Sequence, residues 1–137
     1  MYRTSLPADP LKLIALNRDV FFGVRLRNLA KELGFDLILA PTATVVANAL
    51  SESAASVALV IVDMNVLKTG VDWETVTDLV STYPEVPTLG FGSHTDVETR
   101  RTAKRAGLTR IVANSEFHRD AARLIQRYAR VPDSADM

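Results

Sequence analysis

Residues 56–65 read SVALVIVDMN, and this stretch carries the strongest fold signal in the chain. Its six apolar residues, Val57–Val62, are typical of a central strand that helices cover on both faces of a sheet. A carboxylate, Asp63, follows directly. Because a carboxylate in such a place is costly unless it is hydrated, paired or used, Asp63 is either a functional group or a hydrogen-bond acceptor for the loop Met64–Gly70.

Four more short apolar runs accompany this one and alternate with helix-like segments. The predicted strands are Leu11–Leu16, Phe35–Leu39, Val57–Val62, Val86–Phe91 and Arg110–Ala113. Each run begins about 20–30 residues after the one before it, which leaves room for one crossover helix. Five βα units predict an α/β fold, a three-layer α/β/α sandwich around a five-stranded parallel sheet. Residues 10–130 form this domain, and residues 1–9 and 131–137 are expected to be terminal tails.

The predicted helices have signals at their ends. Gly34 and Gly107 are expected to end the first and fourth helices, since glycine readily adopts the left-handed conformation that often follows a helix. The sequence TDVE at residues 95–98 matches a capping box and predicts the start of the fourth helix. Ser115 is the expected N-cap of the fifth helix, and the second helix covers roughly residues 42–51.

The composition excludes several classes of protein. The 137 residues include no cysteine and two histidines, which argues against disulfides, thiolate metal sites and His-rich metal sites. The N-terminus lacks the apolar run of a signal peptide, and no stretch reaches the ~20 apolar residues of a membrane span. We therefore expect a soluble, cytoplasmic domain with no membrane contact and no small-molecule substrate.

The net charge of zero hides an uneven distribution of charge along the chain. Residues 32–98 contain ten acidic residues and one basic residue, Lys68. Residues 100–130 contain nine basic residues against Glu116 and Asp120. Such an asymmetry indicates either a partner-binding face or a solvated helix surface.

Four segments resemble the receiver domain of bacterial response regulators: LKLIALNRD, SVALVIVDMN, VPTLGFGSH and AGLTRIVANS. Pro87 and the pair Ala106-Gly107 are also typical of that family. The resemblance implies the strand order 2-1-3-4-5, and it places Asp63 at the phosphoacceptor position. In receivers, two acidic residues after strand one hold Mg²⁺. A Thr or Ser after strand four and a Lys after strand five bind the phosphoryl oxygens, and an aromatic residue on strand five changes rotamer on activation.

Most of these parts are missing from this chain. The two acidic positions after strand one hold Asn17 and Arg18, with Asp19 one residue later. The Thr/Ser position holds Gly92, with Ser93 next to it. The Lys position holds Asn114, and the aromatic position holds Ile111. Because phosphoryl transfer is catalysed by positioning and charge stabilisation, these losses predict a degenerate pseudo-receiver with no catalytic residue, metal or cofactor. In the alternative, a functional receiver is phosphorylated on Asp63 in a phosphorelay. Mg²⁺ is then required, and Asp19 and Ser93 stand in for missing groups.

Three residues near the expected site receive specific predictions. The guanidinium of Arg18 is expected to reach Asp63 and to fill the space of Mg²⁺, which would hold the site in one state. The alternative is that Arg18 points to solvent. His94 follows strand four near the rim of the site, but no Ser or Cys nucleophile accompanies it, so a catalytic role is disfavoured. His118 is expected on the surface.

Helix four, strand five and helix five are predicted to form a basic surface. Its cations are Arg100, Arg101, Lys104, Arg105, Arg119, Arg123 and Arg127. In receivers this surface carries dimerisation or output contacts, which favours a protein partner or a homodimer here. A solvated exterior is the plain alternative.

Two other functions are weaker alternatives. Contact with nucleic-acid phosphates through the basic surface is disfavoured, because its two aromatics, Phe117 and Tyr128, belong to the inward stripe of helix five and no reader motif follows. A flavodoxin-like cofactor protein is disfavoured because the loop NRDVFFG after strand one lacks a cradle rich in hydroxyl groups and glycine.

Overall fold

Five strands alternate with five helices in residues 10–131, the part of the chain that this computed structural model describes. The elements are β1 (Lys12–Leu16), α1 (Val20–Leu33), β2 (Asp36–Ala40), α2 (Ala43–Ser53), β3 (Val57–Asp63), α3 (Gly70–Thr82), β4 (Thr88–Gly92), α4 (Val97–Ala106), β5 (Arg110–Ala113) and α5 (Asn114–Tyr128). The five predicted strands are all present, with ends that differ by at most two residues. The predicted tails, apart from Val131, lie outside the described residues.

All five strands are parallel, and their order is β2-β1-β3-β4-β5. The predicted fold class and strand order are therefore confirmed. The strand β3 lies at the centre, and its residues Val57–Val62 are at most 2% exposed. The register pairs Leu16 with Val62 and Asp63 with Phe91, so the carboxyl ends of β1, β3 and β4 meet at one edge of the sheet.

The apolar core lies in two layers, one on each face of the sheet. Alternate residues of a strand point to opposite faces. Leu13 and Ile61 accordingly pack against α1 and α5, whereas Ile14 and Val60 pack against α2, α3 and α4. Fully burying an aliphatic side chain of this size stabilises a protein by about 1.5–3 kcal/mol. These two layers make the three-layer sandwich and hold the strand ends at fixed positions.

The helix ends confirm some expected caps and correct others. Gly34 and Gly107 end α1 and α4 in the left-handed conformation, with φ of 86° and 95°. The expected capping box at residues 95–98 is wrong, because Asp96 is the N-cap and its carboxylate accepts from the N–H of Thr99 at 3.0 Å. Ser115 is not an N-cap either. The helix α5 follows β5 without a loop, so Ser115 already lies inside its first turn.

None of the helices in residues 10–131 combines the length and the apolar composition that a bilayer span requires.

Candidate functional site

A small cavity of about 210 Å³ opens where the strands β1, β3 and β5 end, and it contains Asp63. We call it the Asp63 cavity. Its lining residues are Asn17, Asp19, Phe22, Asp63, Asn65, Phe91, Asn114 and His118. Three of the six positions that the sequence placed around Asp63 therefore lie there, namely Asn17, Asp19 and Asn114. The other three, Arg18, Gly92 and Ser93, do not line it.

Asp63 ends β3 as a half-buried carboxylate that the following turn holds in place. Its Oδ1 accepts from the backbone N–H of Asn65 at 3.0 Å and from the Nδ2 of the same residue at 2.9 Å. No Lys, Arg or His among the described residues lies within ion-pair distance of Asp63. The structure thus shows the simple acceptor role that the sequence allowed, and the second oxygen has no donor among the described residues.

The predicted pairing of Arg18 with Asp63 is wrong. The Nε of Arg18 donates to the backbone carbonyl of Pro41 at 2.9 Å, and the side chain lines a separate groove beside β2. Arg18 precedes the N-cap of α1, where the chain turns away from the sheet. The carbonyl of Pro41, just past the end of β2, is the acceptor within reach on that side. The Asp63 cavity therefore contains no arginine.

The two other residues after β1 are committed to local hydrogen bonds. Asn17, only 7% exposed, accepts from the backbone N–H of Asp19 at 3.1 Å and donates to the carbonyl of Asp19 at 2.9 Å. The Oδ1 of Asp19 accepts from the N–H groups of Phe21 and Phe22 and so caps α1. Asp19 is nevertheless a second carboxylate in the Asp63 cavity, and one of its oxygens makes none of these bonds.

The last residue of β4, Gly92, stands at the position aligned with the receiver's hydroxyl, and the side chain of Met64 lies against it. A Cβ added to Gly92 would lie 2.8 Å from the Cε and 3.4 Å from the Cβ of Met64. Met64 is 3% exposed and lies in the core, so its side chain fills this space. The neighbouring Ser93 is held in the turn that follows β4, where its hydroxyl lies 2.9 Å from the Oγ1 of Thr95. Sequence reasoning missed Met64, since only the packing shows where it points.

The start of α5 supplies the last two groups of the Asp63 cavity. The Oδ1 of Asn114 is shielded from solvent and has no hydrogen-bond partner among the described residues. His118 is exposed, as the sequence predicted, but it also lines the Asp63 cavity and packs edge-on against Phe22 with ring centres 4.9 Å apart. The spacing of four residues between Asn114 and His118 on a helix is the signal that would have predicted this neighbourhood.

A larger cavity of about 590 Å³ lies on the outer side of α4 and β5. We call it the basic groove. It is lined by His94, Val97, Arg100, Arg101, Lys104, Arg110 and Ile111. His94 thus lies in the basic groove and not at the rim of the Asp63 cavity, which corrects the prediction. Ile111, at the aligned switch position, is partly buried and forms part of the groove's apolar floor.

The arginines of α5 are held by neighbours on their own helix. Arg119 and Arg123 both donate to the Oδ2 of Asp120, at 3.0 and 2.8 Å. The hydrogen bond from Arg119, assisted by that from Arg123, lowers the pKa of Asp120 below its usual range. The guanidinium of Arg127 lies 5.5 Å from the ring centre of Tyr128. The predicted basic surface is therefore divided. Arg100, Arg101 and Lys104 line the basic groove, Arg105 lines a groove beside α3, and Arg119 and Arg123 share Asp120 on α5.

Comparisons with known proteins give structural matches only. No family model matches the chain, and no curated protein matches it in sequence. The signal receiver domain of an HD domain-containing protein from Pseudomonas fluorescens superimposes with a TM-score of 0.72 at 15% identity, and the match covers 90% of each chain. A response regulator receiver domain from Clostridium thermocellum gives 0.70 at 15% identity, over 86% of this chain and 93% of that one. The chain has the receiver fold. The chemotaxis protein CheY4 of Vibrio cholerae gives 0.69 at 16% identity, over 87% and 98%.

The Asp63 cavity contains one acidic residue after β1, Asp19, where the magnesium site that the resemblance implies has two. Magnesium prefers oxygen ligands in octahedral geometry, usually with carboxylates among them. The described residues contain no cluster of three or more Asp, Glu, His or Cys side chains placed to hold a metal ion. The two carboxylates present, Asp19 and Asp63, each have one oxygen engaged by backbone N–H groups.

Proposed function

We propose that this chain is a receiver-like signalling module that acts through protein contacts and is not switched by Mg²⁺-dependent phosphorylation of Asp63. The observation that carries the proposal is the packing of Met64 against Gly92. A side chain at Gly92, where receivers have a Thr or Ser that binds the phosphoryl group, would first have to displace the end of Met64. Asn114 adds no charge where receivers have a Lys, and Arg18 is bonded elsewhere.

The loss of these groups matters because of how phosphoryl transfer is catalysed. The protein supplies little covalent chemistry in this reaction and works almost entirely by positioning and charge stabilisation. The lining of the Asp63 cavity has two carboxylates and, among the described residues, no Lys, Arg, Ser or Thr, so it offers few groups for either. A non-enzymatic role, the absence of a cofactor and a cytoplasmic setting, which the receiver fold favours, belong to the same proposal.

The output surface in this proposal is the side of the molecule formed by α4, β5 and α5. The basic groove supports a protein partner or a second copy of the chain. Its cations surround an apolar floor that includes Val97, which is 53% exposed. Interfaces commonly combine an apolar centre with a polar rim in this way.

Intact-mass measurement after incubation with acetyl phosphate and Mg²⁺ tests the proposal. We expect no gain in mass for the wild-type chain. A receiver domain with a complete set of phosphorylation residues, treated in the same tube, shows that the donor is active. An Asp63→Asn variant shows whether any gain arises at this residue. A gain of one phosphoryl group that the variant lacks would contradict the proposal.

The second candidate is a functional receiver with an altered site, and the position of Asp19 in the Asp63 cavity favours it. If Asp19 acts there, an Asp19→Asn variant loses phosphorylation. Asparagine caps a helix as well as aspartate does, so α1 keeps its N-terminal hydrogen bonds in this variant. The same mass measurement therefore distinguishes the two candidates.

A further inference from the structure

Most positive charges of the basic groove have no ion-pair partner among the described residues. Among residues 10–131, only Arg101 of this groove lies within 4.0 Å of a carboxylate, that of Glu98 at 3.3 Å, and both side chains are largely exposed. Arg100, Lys104 and Arg110 make no ion pair with a described residue. On α5, by contrast, Arg119 and Arg123 share one carboxylate, that of Asp120. Three cations without an ion pair to a described residue therefore lie together at α4 and β5.

The helix α3 carries the opposite charge. It contains three acidic residues and no basic one. Asp72 belongs to the capping box with Thr69, where its carboxylate also accepts from the N–H of Lys68. The hydrogen bond from Lys68 is the largest of the effects that lower the pKa of Asp72. Asp72 is thus committed to its own helix end.

The remaining acids of α3, Glu74 and Asp78, are four residues apart and exposed on one side of the helix. They make no ion pair with a described residue. Together with Trp73 they line a groove of about 350 Å³ between α3 and α4. We call Trp73, Glu74 and Asp78 the acidic face.

The acidic face and the basic groove lie on different sides of α4. Thr102 and Arg105 of α4 line the groove beside α3, whereas Arg101 and Lys104 line the basic groove beside β5. Arg105 is the one cation in the groove beside α3, and it makes no ion pair with Glu74 or Asp78. The acidic face and the basic groove of one molecule therefore cannot contact each other, but both are exposed to other molecules.

We propose that the basic groove binds the acidic face of a second copy of this chain. The proposal rests on the protein-contact function above and names the partner. A symmetric dimer through the basic groove would bring like charges together, whereas a contact between unlike surfaces brings Glu74 and Asp78 against Arg101 and Lys104. Trp73 supplies the aromatic group that often anchors an interface, and Val97 and Ile111 supply the apolar floor. Because the two surfaces differ, the contact is heterologous and builds a ring or an open chain of copies.

The strength of this contact is expected to depend on salt. Exposed ion pairs are individually weak and are screened by ions in solution. The screening length falls from about 10 Å at 0.1 M salt to about 3 Å at 1 M. Sedimentation velocity at low salt should show species larger than the monomer that increase with protein concentration. The same sample at 1 M NaCl should be monomeric.

Charge reversal on the two surfaces tests which residues meet. A Glu74→Lys/Asp78→Lys variant and an Arg101→Glu/Lys104→Glu variant should each be monomeric at low salt. An equimolar mixture should assemble again, because each altered surface then meets a surface of opposite charge. An Arg119→Glu/Arg127→Glu variant on α5 changes the net charge as much as the groove variant does, and it should associate like the wild type. Circular dichroism confirms that all variants are folded.

Three results would overturn this proposal: a wild-type chain that stays monomeric at low salt, a mixture that fails to assemble, or an α5 control that loses association as fully as the groove variant. A monomeric wild-type chain would point to another acidic protein as the occupant of the basic groove. None of these results bears on the mass measurement with acetyl phosphate, so the two proposals fail independently.

Discussion

Replacing Gly92, the last residue of β4, by alanine tests whether Met64 limits the space for a side chain there. The new Cβ would lie 2.8 Å from the Cε of Met64. Carbon atoms in contact are normally about 3.5–4.0 Å apart, so the methionine end must withdraw by roughly 0.7 Å or more. Overpacking of this kind costs about 1–3 kcal/mol. We expect a value near 1–2 kcal/mol, because the atom that must move is the end of a flexible side chain.

A second substitution identifies the clash as the cause. Met64→Leu removes the terminal carbon at a cost below about 1.5 kcal/mol, since the two side chains have similar volumes. In that background Gly92→Ala should cost about 1 kcal/mol less than it does in the wild type. Gly70→Ala is the matched control, because a Cβ added there has nothing within 4 Å, and it should not be destabilising.

Urea unfolding, followed by fluorescence and by circular dichroism, measures these free energies. Independent substitutions add within about 0.3–0.5 kcal/mol. If Gly92→Ala costs the same in both backgrounds within that margin, Met64 does not limit the space at this position. The structural argument for a closed phosphoryl site would then lose its main support.

Three further predictions concern stability. Thr88→Val should cost about 1–3 kcal/mol in urea unfolding and Thr88→Ser much less, because the Thr88 hydroxyl accepts from the N–H of Thr109 at 2.9 Å; equal costs would refute this. Arg130→Ala should destabilise more than Arg130→Lys, since the guanidinium donates to two backbone carbonyls beside β3; a reversed order in thermal unfolding would refute this. Hydrogen bonds, mainly from Thr99 and Arg119 respectively, lower the pKa of Asp96 and of Asp120. The two carboxylates therefore stabilise the folded chain fully above the unfolded pKa of about 3.9, and this stabilisation is lost as the pH falls through their lower folded pKa values. The thermal midpoint should therefore fall on acidification below about pH 4, and less steeply in an Asp120→Asn variant; an unchanged slope would contradict the assignment.

The sequence was sufficient for the fold because the fold depends on burial, and burial leaves a periodic pattern. The run Val57–Val62 has no polar residue, and a strand buried on both faces requires that. Gly34 and Gly107 mark helix ends because the left-handed conformation favours glycine. The position of Asp63 at the edge of the sheet followed from the same pattern.

The contents of the site were less predictable, because side-chain directions in loops depend on neighbours from distant parts of the chain. Arg18 turns to the carbonyl of Pro41, which lies 23 residues away in sequence. The closure of the Gly92 position depends on how Met64 packs against β4, and no periodic pattern records that. Asp120, which accepts from two arginines of α5, has non-helical backbone angles, so the helix is locally broken at that residue.

The packing around Met64 also bears on how the basic groove is controlled. A ligand shifts a conformational equilibrium only if it binds the two states differently, and packed cores resist continuous deformation. Met64 also packs against Gly90, where an added Cβ would lie 2.8 Å from Leu108 and 3.3 Å from Met64. At the groove end Ile111 packs into the same apolar core. The positions aligned with the receiver's hydroxyl and aromatic switch residue hold Gly92 and Ile111. We therefore expect the basic groove to be permanently formed, with occupancy set by protein concentration and ionic strength. An Asp63→Asn variant should then associate as the wild type does in sedimentation velocity, and a changed association constant would show that the two sites are coupled.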